Sequence, residues 1–170
     1  MFEMTIAHFN HLNAEIKKEL LFTCCGSNQW VSKMIALTPF EDLVHVLENA
    51  EEAWDKCDEQ ALLEAFSHHP KIGDLQNIDI KFKETSQFTN EEQGAIKSAN
   101  SETLDDLSTL NLSYQKKFGF IFIASASGCS GDDLLNVLKI RIENDRQSEL
   151  KIAAAEQIKI TKLRLQKLFI

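Results

Sequence analysis

The 170-residue sequence is poor in the residues that make turns, with six glycines and two prolines. Sandwiches and barrels of short strands need many such turns, so this scarcity argues against an all-β fold and favours helices. The length falls within the roughly 100 to 200 residues of a typical domain, and 44% of the residues are apolar. We therefore expect one domain over residues 1–170 with a buried core.

Basic residues are also in the minority, since 18 Lys and Arg face 26 Asp and Glu and give a formal net charge of -8. Nucleic-acid binding without sequence preference depends on clustered Lys and Arg, and here the lysines are scattered. We therefore exclude nucleic acid as a partner. Net charge does not exclude a local basic pocket for a small anionic molecule.

Signals for membranes and for secretion are missing as well. No stretch approaches 18 apolar residues, and the N-terminal residues show no charged start followed by an apolar region. The cysteines form neither a C-x-x-C pair nor a disulfide framework; they are Cys24, Cys25, Cys57 and Cys129. We expect buried thiols in a soluble cytoplasmic protein that has no membrane partner.

Apolar residues at three- and four-residue spacing predict an all-α, single-domain bundle of about eight helices. Asn13, Ser27 and Ser130 are predicted N-caps. The predicted helices cover approximately 12–25, 27–38, 39–57, 58–70, 89–100, 101–118, 130–144 and 147–169, with a long loop over 71–88. The run FIFIASA at 120–126 fits a buried strand by pattern, but no second run exists to pair with it. We predict a buried, partly helical crossing.

His69 is the first candidate for chemistry. It is predicted to end a helix just before Pro70, on the core-facing stripe of Ala65 and Phe66, whereas His68 should face solvent. The partial negative charge of a helix C-terminus favours imidazolium, which suits a group that donates a proton near neutral pH. The alternative is a histidine that bonds a free helix carbonyl, and local features alone favour it.

Glu92 and Gln93 follow Thr89 in a T-x-x-E pattern that has two interpretations. The pattern is typical of a capping box, in which the glutamate bonds the cap backbone, and local features favour this role. A helix N-terminus also presents free N–H donors to an anionic ligand.

Arg164 lies between two leucines in the last predicted helix, where an arginine can hold a carboxylate with two parallel bonds. A snorkelling or ion-paired arginine is the alternative that local features favour. His8 and His11 are three residues apart but have no third ligand at convincing spacing, so we predict no metal site. No catalytic Ser-His-Asp order and no phosphate-binding glycine motif is present.

Five motifs in a fixed order carry a resemblance to a known family. They are HPKIGD at 69–74, EEQ at 91–93, YQKKFGFIFI at 114–123, RIEND at 141–145 and ELKIAAAEQIKITKLRLQKL at 149–168. Each motif is weak, whereas the ordered series is specific. From about Leu12 to Leu168 the chain resembles the 2-oxo-4-hydroxy-4-carboxy-5-ureidoimidazoline (OHCU) decarboxylase family.

The resemblance implies an all-α enzyme, usually a homodimer, that converts OHCU to (S)-allantoin and carbon dioxide in urate degradation without a metal or organic cofactor. Its catalytic residues fall on His69, Glu92 and Arg164. Its substrate-binding positions fall on Pro70, Thr89, Gln93, Phe122, Ile123, Ala124, Ser125 and Ala126, the last five through a backbone that lines the ligand. Thr89 replaces a common serine and keeps the hydroxyl, whereas Ile121 replaces a common proline and leaves the local backbone path open.

Two other functions stay open at this point. The chain fits a non-catalytic helical module that binds a partner through an apolar groove, with His69 and Arg164 in structural roles. It also fits an enzyme that acts on a related cyclic ureide.

Overall fold

The computed structural model describes residues 4–69 and 99–169, and within these ranges the chain is helical and contains no strand. The all-α prediction is thus confirmed. The helices are α1 (Ile6–His11), α2 (Ala14–Cys25), α3 (Asn28–Ala36), α4 (Leu43–Asp55), α5 (Glu59–Ser67), α6 (Ser101–Phe118), α7 (Gly131–Arg141) and α8 (Arg146–Leu168). None of these described helices combines the length and the apolar character needed to cross a membrane.

The helix starts follow the predicted N-caps. Side-chain oxygens of Asn13 and Ser27 accept backbone N–H groups in the first turns of α2 and α3. Ser130 and Asp133 form a reciprocal capping box at the start of α7. Gly26 ends α2 in the left-handed conformation at φ 76°, which costs glycine no steric strain. These local bonds satisfy backbone groups that a helix end leaves free.

Two helix predictions differ from the structure. The third predicted helix was placed from about residue 39, but α4 begins at Leu43 because the Asp42 side chain caps it by accepting the His45 N–H. The short helix α1 was not predicted. It begins where Thr5 accepts the His8 N–H.

The segment 120–126 is a third difference. Phe120, Phe122 and Ile123 are buried, as predicted. Residues 121–126 contain no helix, so the predicted helical character is wrong. Side chains from α7 and α8 bond two of the backbone groups in this segment, in place of bonds within a helix.

The described residues form two compact units, and the prediction of one domain over residues 1–170 stays a prediction. The first unit comprises, of the described residues, 4–65 and 157–169. Trp30 lies at 0% exposure in its core and donates its indole N–H to the Ala50 carbonyl at 3.0 Å. The ring of Phe9 packs against Phe40 and Phe169, with ring centroids 5.9 and 5.2 Å away.

The last helix contributes an inward face to this first unit. Thr161, Leu165 and Leu168 are buried, as predicted, and Ile158 is half-buried. Buried polar side chains satisfy one another there, since Gln157 donates to the Thr161 hydroxyl at 3.1 Å.

The second unit comprises, of the described residues, 66–69 and 99–156. Its core is aromatic, because Tyr114 packs against Phe118, Phe120 and Phe122 at centroid distances of 4.6, 5.9 and 5.5 Å. All three contacts are edge-on, a geometry that aromatic pairs prefer. Aromatic packing therefore holds the phenylalanine rings of the segment 120–126 in the core of this unit. Polar side chains bind the backbone of the segment.

Candidate active site

His69 lies just beyond the end of α5, in the second unit. Its backbone N–H donates to the Phe66 carbonyl at 3.1 Å, and the residue is 8% exposed. The neighbouring His68 is exposed. Both placements are those predicted from the helical stripe. A buried imidazole held next to a helix end has a restricted position, which a stereospecific proton donor requires.

The predicted ligand-lining segment belongs to the same unit as His69. Phe122 and Ile123 are buried, and Ala124, Ser125 and Ala126 are half-buried. Phe66, one turn before His69, places its ring centroid 5.5 Å from that of Phe120. The end of α5 and the start of the segment thus share one hydrophobic core.

Arg141, at the end of α7, holds the segment at its centre. Its Nη1 donates to the Ile123 carbonyl at 2.6 Å, and its guanidinium carbon lies 4.6 Å from the Phe122 ring centroid. Its Nε donates to Glu149 Oε1, also at 2.6 Å. The planar guanidinium fork can meet all three partners at fixed angles, which an ammonium group cannot do.

Glu149, the carboxylate that neutralises Arg141, is 0% exposed. It also accepts the Tyr114 hydroxyl at 2.5 Å and the Asn144 amide at 2.9 Å. Burial, followed by the hydrogen bond to Glu149, raises the pKa of Tyr114 far above its usual value, so the phenol stays a proton donor. The network is a buried ion pair whose polar atoms have partners, the condition under which such a pair is tolerated.

Glu156 holds the segment at a second point. Its Oε2 accepts the Ser125 N–H at 2.8 Å. No role was predicted for Arg141, Glu149 or Glu156 from the sequence. They occur in the motifs RIEND and ELKIAAAEQ, but nothing in their spacing indicated that Arg141 and Glu156 bond the backbone of residues 123–125 or that Glu149 binds Arg141.

Arg164 lies in the first unit and is 5% exposed. Its Nη1 donates to the Thr23 carbonyl at 3.5 Å. At this exposure the guanidinium does not extend into solvent, so the snorkelling alternative does not describe it. Burial raises the pKa of the adjacent Cys25 thiol, against smaller lowering effects from the Thr161 hydrogen bond and the Arg164 charge. The thiol therefore stays protonated and does not act as a nucleophile.

Four predicted site residues lie outside the described ranges, namely Pro70, Thr89, Glu92 and Gln93. The predicted loop over 71–88 and the predicted helix over 89–100, except for its last residues, also fall there.

The other polar candidates are placed as follows. His8 and His11 are exposed on α1. Within residues 4–69 and 99–169, no group of three or more His, Cys, Asp or Glu side chains is arranged to hold a metal ion. All four cysteines are thiols and not disulfides; Cys24 and Cys25 are buried as predicted, whereas Cys57 and Cys129 are only half-buried.

Comparison with solved structures defines the class of this fold. It is the fold of an all-helical decarboxylase, because the crystal structure of an OHCU decarboxylase in the presence of (S)-allantoin matches it with a TM-score of 0.76. That chain is 37% identical in sequence, and the match covers 89% of this chain and 97% of the other. Residues 10–166 match the model of the OHCU decarboxylase family, and the chain belongs to that family.

Two relatives are similar to the chain in sequence. It is 37% identical over 156 residues to the uric acid degradation bifunctional protein TTL of Arabidopsis thaliana, which covers 91% of this chain and 48% of that protein. It is 25% identical over 174 residues to the OHCU decarboxylase of Halalkalicoccus jeotgali, covering 99% of this chain and 93% of the other. The chain thus spans about half the length of the plant relative.

Proposed function

We propose that this chain decarboxylates OHCU to (S)-allantoin and carbon dioxide in urate degradation. Its membership of the OHCU decarboxylase family over residues 10–166 carries this proposal. The name of the Arabidopsis relative, which assigns that protein to uric acid degradation, supports the pathway. The solved neighbour was crystallised in the presence of (S)-allantoin, which supports the product.

The proposed reaction needs no metal and no organic cofactor. When the bond between C4 and the carboxylate breaks, carbon dioxide leaves and the electron pair stays on C4. The adjacent unsaturated ring spreads this charge, so the substrate supplies the electron sink that a cofactor would otherwise provide. The protein then has to orient the substrate, stabilise the developing charge and deliver a proton to C5, the carbon that bears the ureido group, while the C4 hydroxyl loses its proton and becomes a carbonyl of allantoin.

His69 is the proposed proton donor. It first interacts with the hydroxyl or carboxylate of the substrate and then protonates one face of C5, the ureido-bearing carbon, which fixes the (S) product. Its burial beside a helix end supports this role, because a restrained imidazole can reach only one face. Glu92 and Gln93 are proposed to hold the hydroxyl and ureido groups, and Pro70 and Thr89 are proposed to bind the substrate as well. Arg164 is proposed to orient the anionic substrate.

The family resemblance also leads us to propose a homodimer in the cytoplasm. Light scattering after size-exclusion chromatography measures the mass of the protein in solution, and the mass of one chain, 19.3 kDa, would contradict the homodimer.

The central experiment is the substitution His69→Asn, with His68→Asn as its matched control. OHCU is generated in place from urate by urate oxidase and the hydrolase that opens its product, and circular dichroism follows the optical activity of allantoin. A positioned proton donor is worth about 10² to 10⁴ in rate, and we expect His69→Asn to lose turnover of that order while folding normally. The exposed His68 should be replaceable with little loss.

Each contrary result has a definite meaning. Normal turnover by His69→Asn would remove His69 from the catalytic role. Wild-type protein that forms allantoin no faster than the racemic spontaneous reaction would favour the non-catalytic binding module. Turnover of another cyclic ureide in preference to OHCU would favour the alternative enzyme.

A further inference from the structure

Two polar side chains form hydrogen bonds to the consecutive peptide groups on either side of Ala124. The Ile123 carbonyl, which shares a peptide group with the Ala124 N–H, accepts a hydrogen bond from Arg141 at 2.6 Å. The Ser125 N–H, which shares a peptide group with the Ala124 carbonyl, donates to Glu156 at 2.8 Å. Both peptide planes next to Ala124 are therefore fixed by charged groups, and charged partners make the stronger hydrogen bonds.

These two hydrogen bonds determine where the N–H and the carbonyl of Ala124 point. In a planar trans peptide, the N–H and the carbonyl point in opposite directions. The Ala124 N–H therefore points away from Arg141, and the Ala124 carbonyl points away from Glu156. A donor and an acceptor are left on the sides that the two charged side chains do not occupy. A ureide presents the complementary pair, a carbonyl acceptor and an N–H donor.

We infer that Arg141 and Glu156 are positioning residues, which orient the backbone of residues 123–125 so that Ala124 can bind the carbonyl and N–H groups of a ureide. The inference rests on the proposed function, because it assigns the substrate to this backbone. Neither side chain touches the substrate in this arrangement; each acts through the peptide group that it holds.

The rest of the network makes Arg141 a rigid holder. Glu149 binds its Nε and is itself held by Tyr114 and Asn144. The ring of Phe122 covers the guanidinium, whose carbon lies 4.6 Å from the ring centroid. Because several partners hold the guanidinium in place, its hydrogen bond fixes the orientation of the Ile123 carbonyl.

Glu156 offers the cleaner test, because it is half-buried and lies outside the Arg141–Glu149 ion pair. Glu156→Ala removes the acceptor of the Ser125 N–H, and Glu156→Gln keeps an acceptor oxygen of the same reach. Glu143→Ala, which removes an exposed carboxylate from the same unit, is the matched control. For each variant, KM and kcat for OHCU generated in place, the inhibition constant of (S)-allantoin and the melting temperature are measured.

We expect Glu156→Ala to raise KM and the allantoin inhibition constant about 10-fold, the factor that one charge-assisted hydrogen bond is worth, with kcat changed much less. Glu156→Gln should restore most of the binding, and Glu143→Ala should match the wild type. Arg141→Lys, which keeps the charge but loses the fork, should also raise KM where it folds.

A purely structural role would lower the melting temperature of Glu156→Ala and leave KM and inhibition unchanged, and that result overturns the inference. Equal impairment of Glu156→Gln and Glu156→Ala also overturns it, because the acceptor oxygen would then not matter. Both results require an active wild type. A wild type that neither consumes OHCU nor binds (S)-allantoin overturns the proposed function, and the inference with it.

Discussion

Replacing Glu149 with glutamine removes the negative charge from the buried network of the second unit. The side chains of Arg141 and Glu149 are 6% and 0% exposed, so water cannot take over either charge. Glutamine keeps one acceptor oxygen, but its amide N–H groups would oppose the Asn144 amide, which now donates to Glu149 at 2.9 Å. Breaking a buried pair by removing one partner costs about 3 to 5 kcal/mol, and we expect Glu149→Gln to fall in that range.

Thermal and urea denaturation, followed by circular dichroism, measure this loss. For a domain of about 150 to 250 residues, each kcal/mol shifts Tm by about 2 to 4 °C, so a fall of roughly 6 to 20 °C is expected. Glu143→Gln, on an exposed carboxylate, is the control and should stay within about 0.5 kcal/mol of the wild type.

A double-mutant cycle then tests the cause of the loss. Removing both charges, with Arg141→Met and Glu149→Leu together, leaves no unpaired buried charge, so the double variant should lose less stability than the sum of the two single variants. Additive losses, or a Glu149→Gln variant as stable as the control, would refute the argument that Glu149 stabilises the buried positive charge of Arg141.

Two further predictions concern local structure. Ser130→Ala removes one half of the capping box that Ser130 forms with Asp133, and should cost about 0.5 to 2 kcal/mol in urea denaturation; an unchanged midpoint would contradict the box. In thiol labelling at pH 8, Cys24 and Cys25 should react only after unfolding, because both are buried and burial raises the pKa of Cys25. Cys57 should react slowly in the native state, since burial raises its pKa to about 11; fast labelling of all four native thiols would contradict both expectations.

The parts of the fold that were predicted correctly depend on neighbours in sequence. Helix α6 was predicted from about Ser101 to Phe118, and the structure has these bounds. Asn100 caps its start by accepting the Thr103 N–H at 2.8 Å, and Gly119 ends it at φ 83°. Both signals lie within three residues of the boundary that they set, so they can be recognised from the local sequence.

The parts that were missed depend on residues far apart in sequence. The segment 120–126 has the composition of a buried element, and its burial was predicted from that composition. Its backbone path follows from Arg141 and Glu156, which lie 18 and 31 positions from the residues they bond. No local pattern reports such bonds. The roles of His69 and Arg164 came from the family resemblance, because local features favoured structural roles for both.

Helix α8 shows how hydropathy assigns the wrong face when a carboxylate is buried. Glu149, Ala153 and Glu156 are spaced i, i+4 and i+7, so they lie on one face of the helix, and two carboxylates on a face are typical of a solvated surface. In the structure Glu149 is 0% exposed, whereas Ile152 is 36% exposed. The order is reversed because Glu149 has donors from α6 and α7, which replace water, and Ile152 has no such requirement. Ala153, between the two glutamates on this face, is 0% exposed. Glu156 on this face of α8 accepts the Ser125 N–H, and Glu149 binds Arg141, which donates to the Ile123 carbonyl, so both carboxylates hold the backbone of residues 123–125, one directly and one through Arg141.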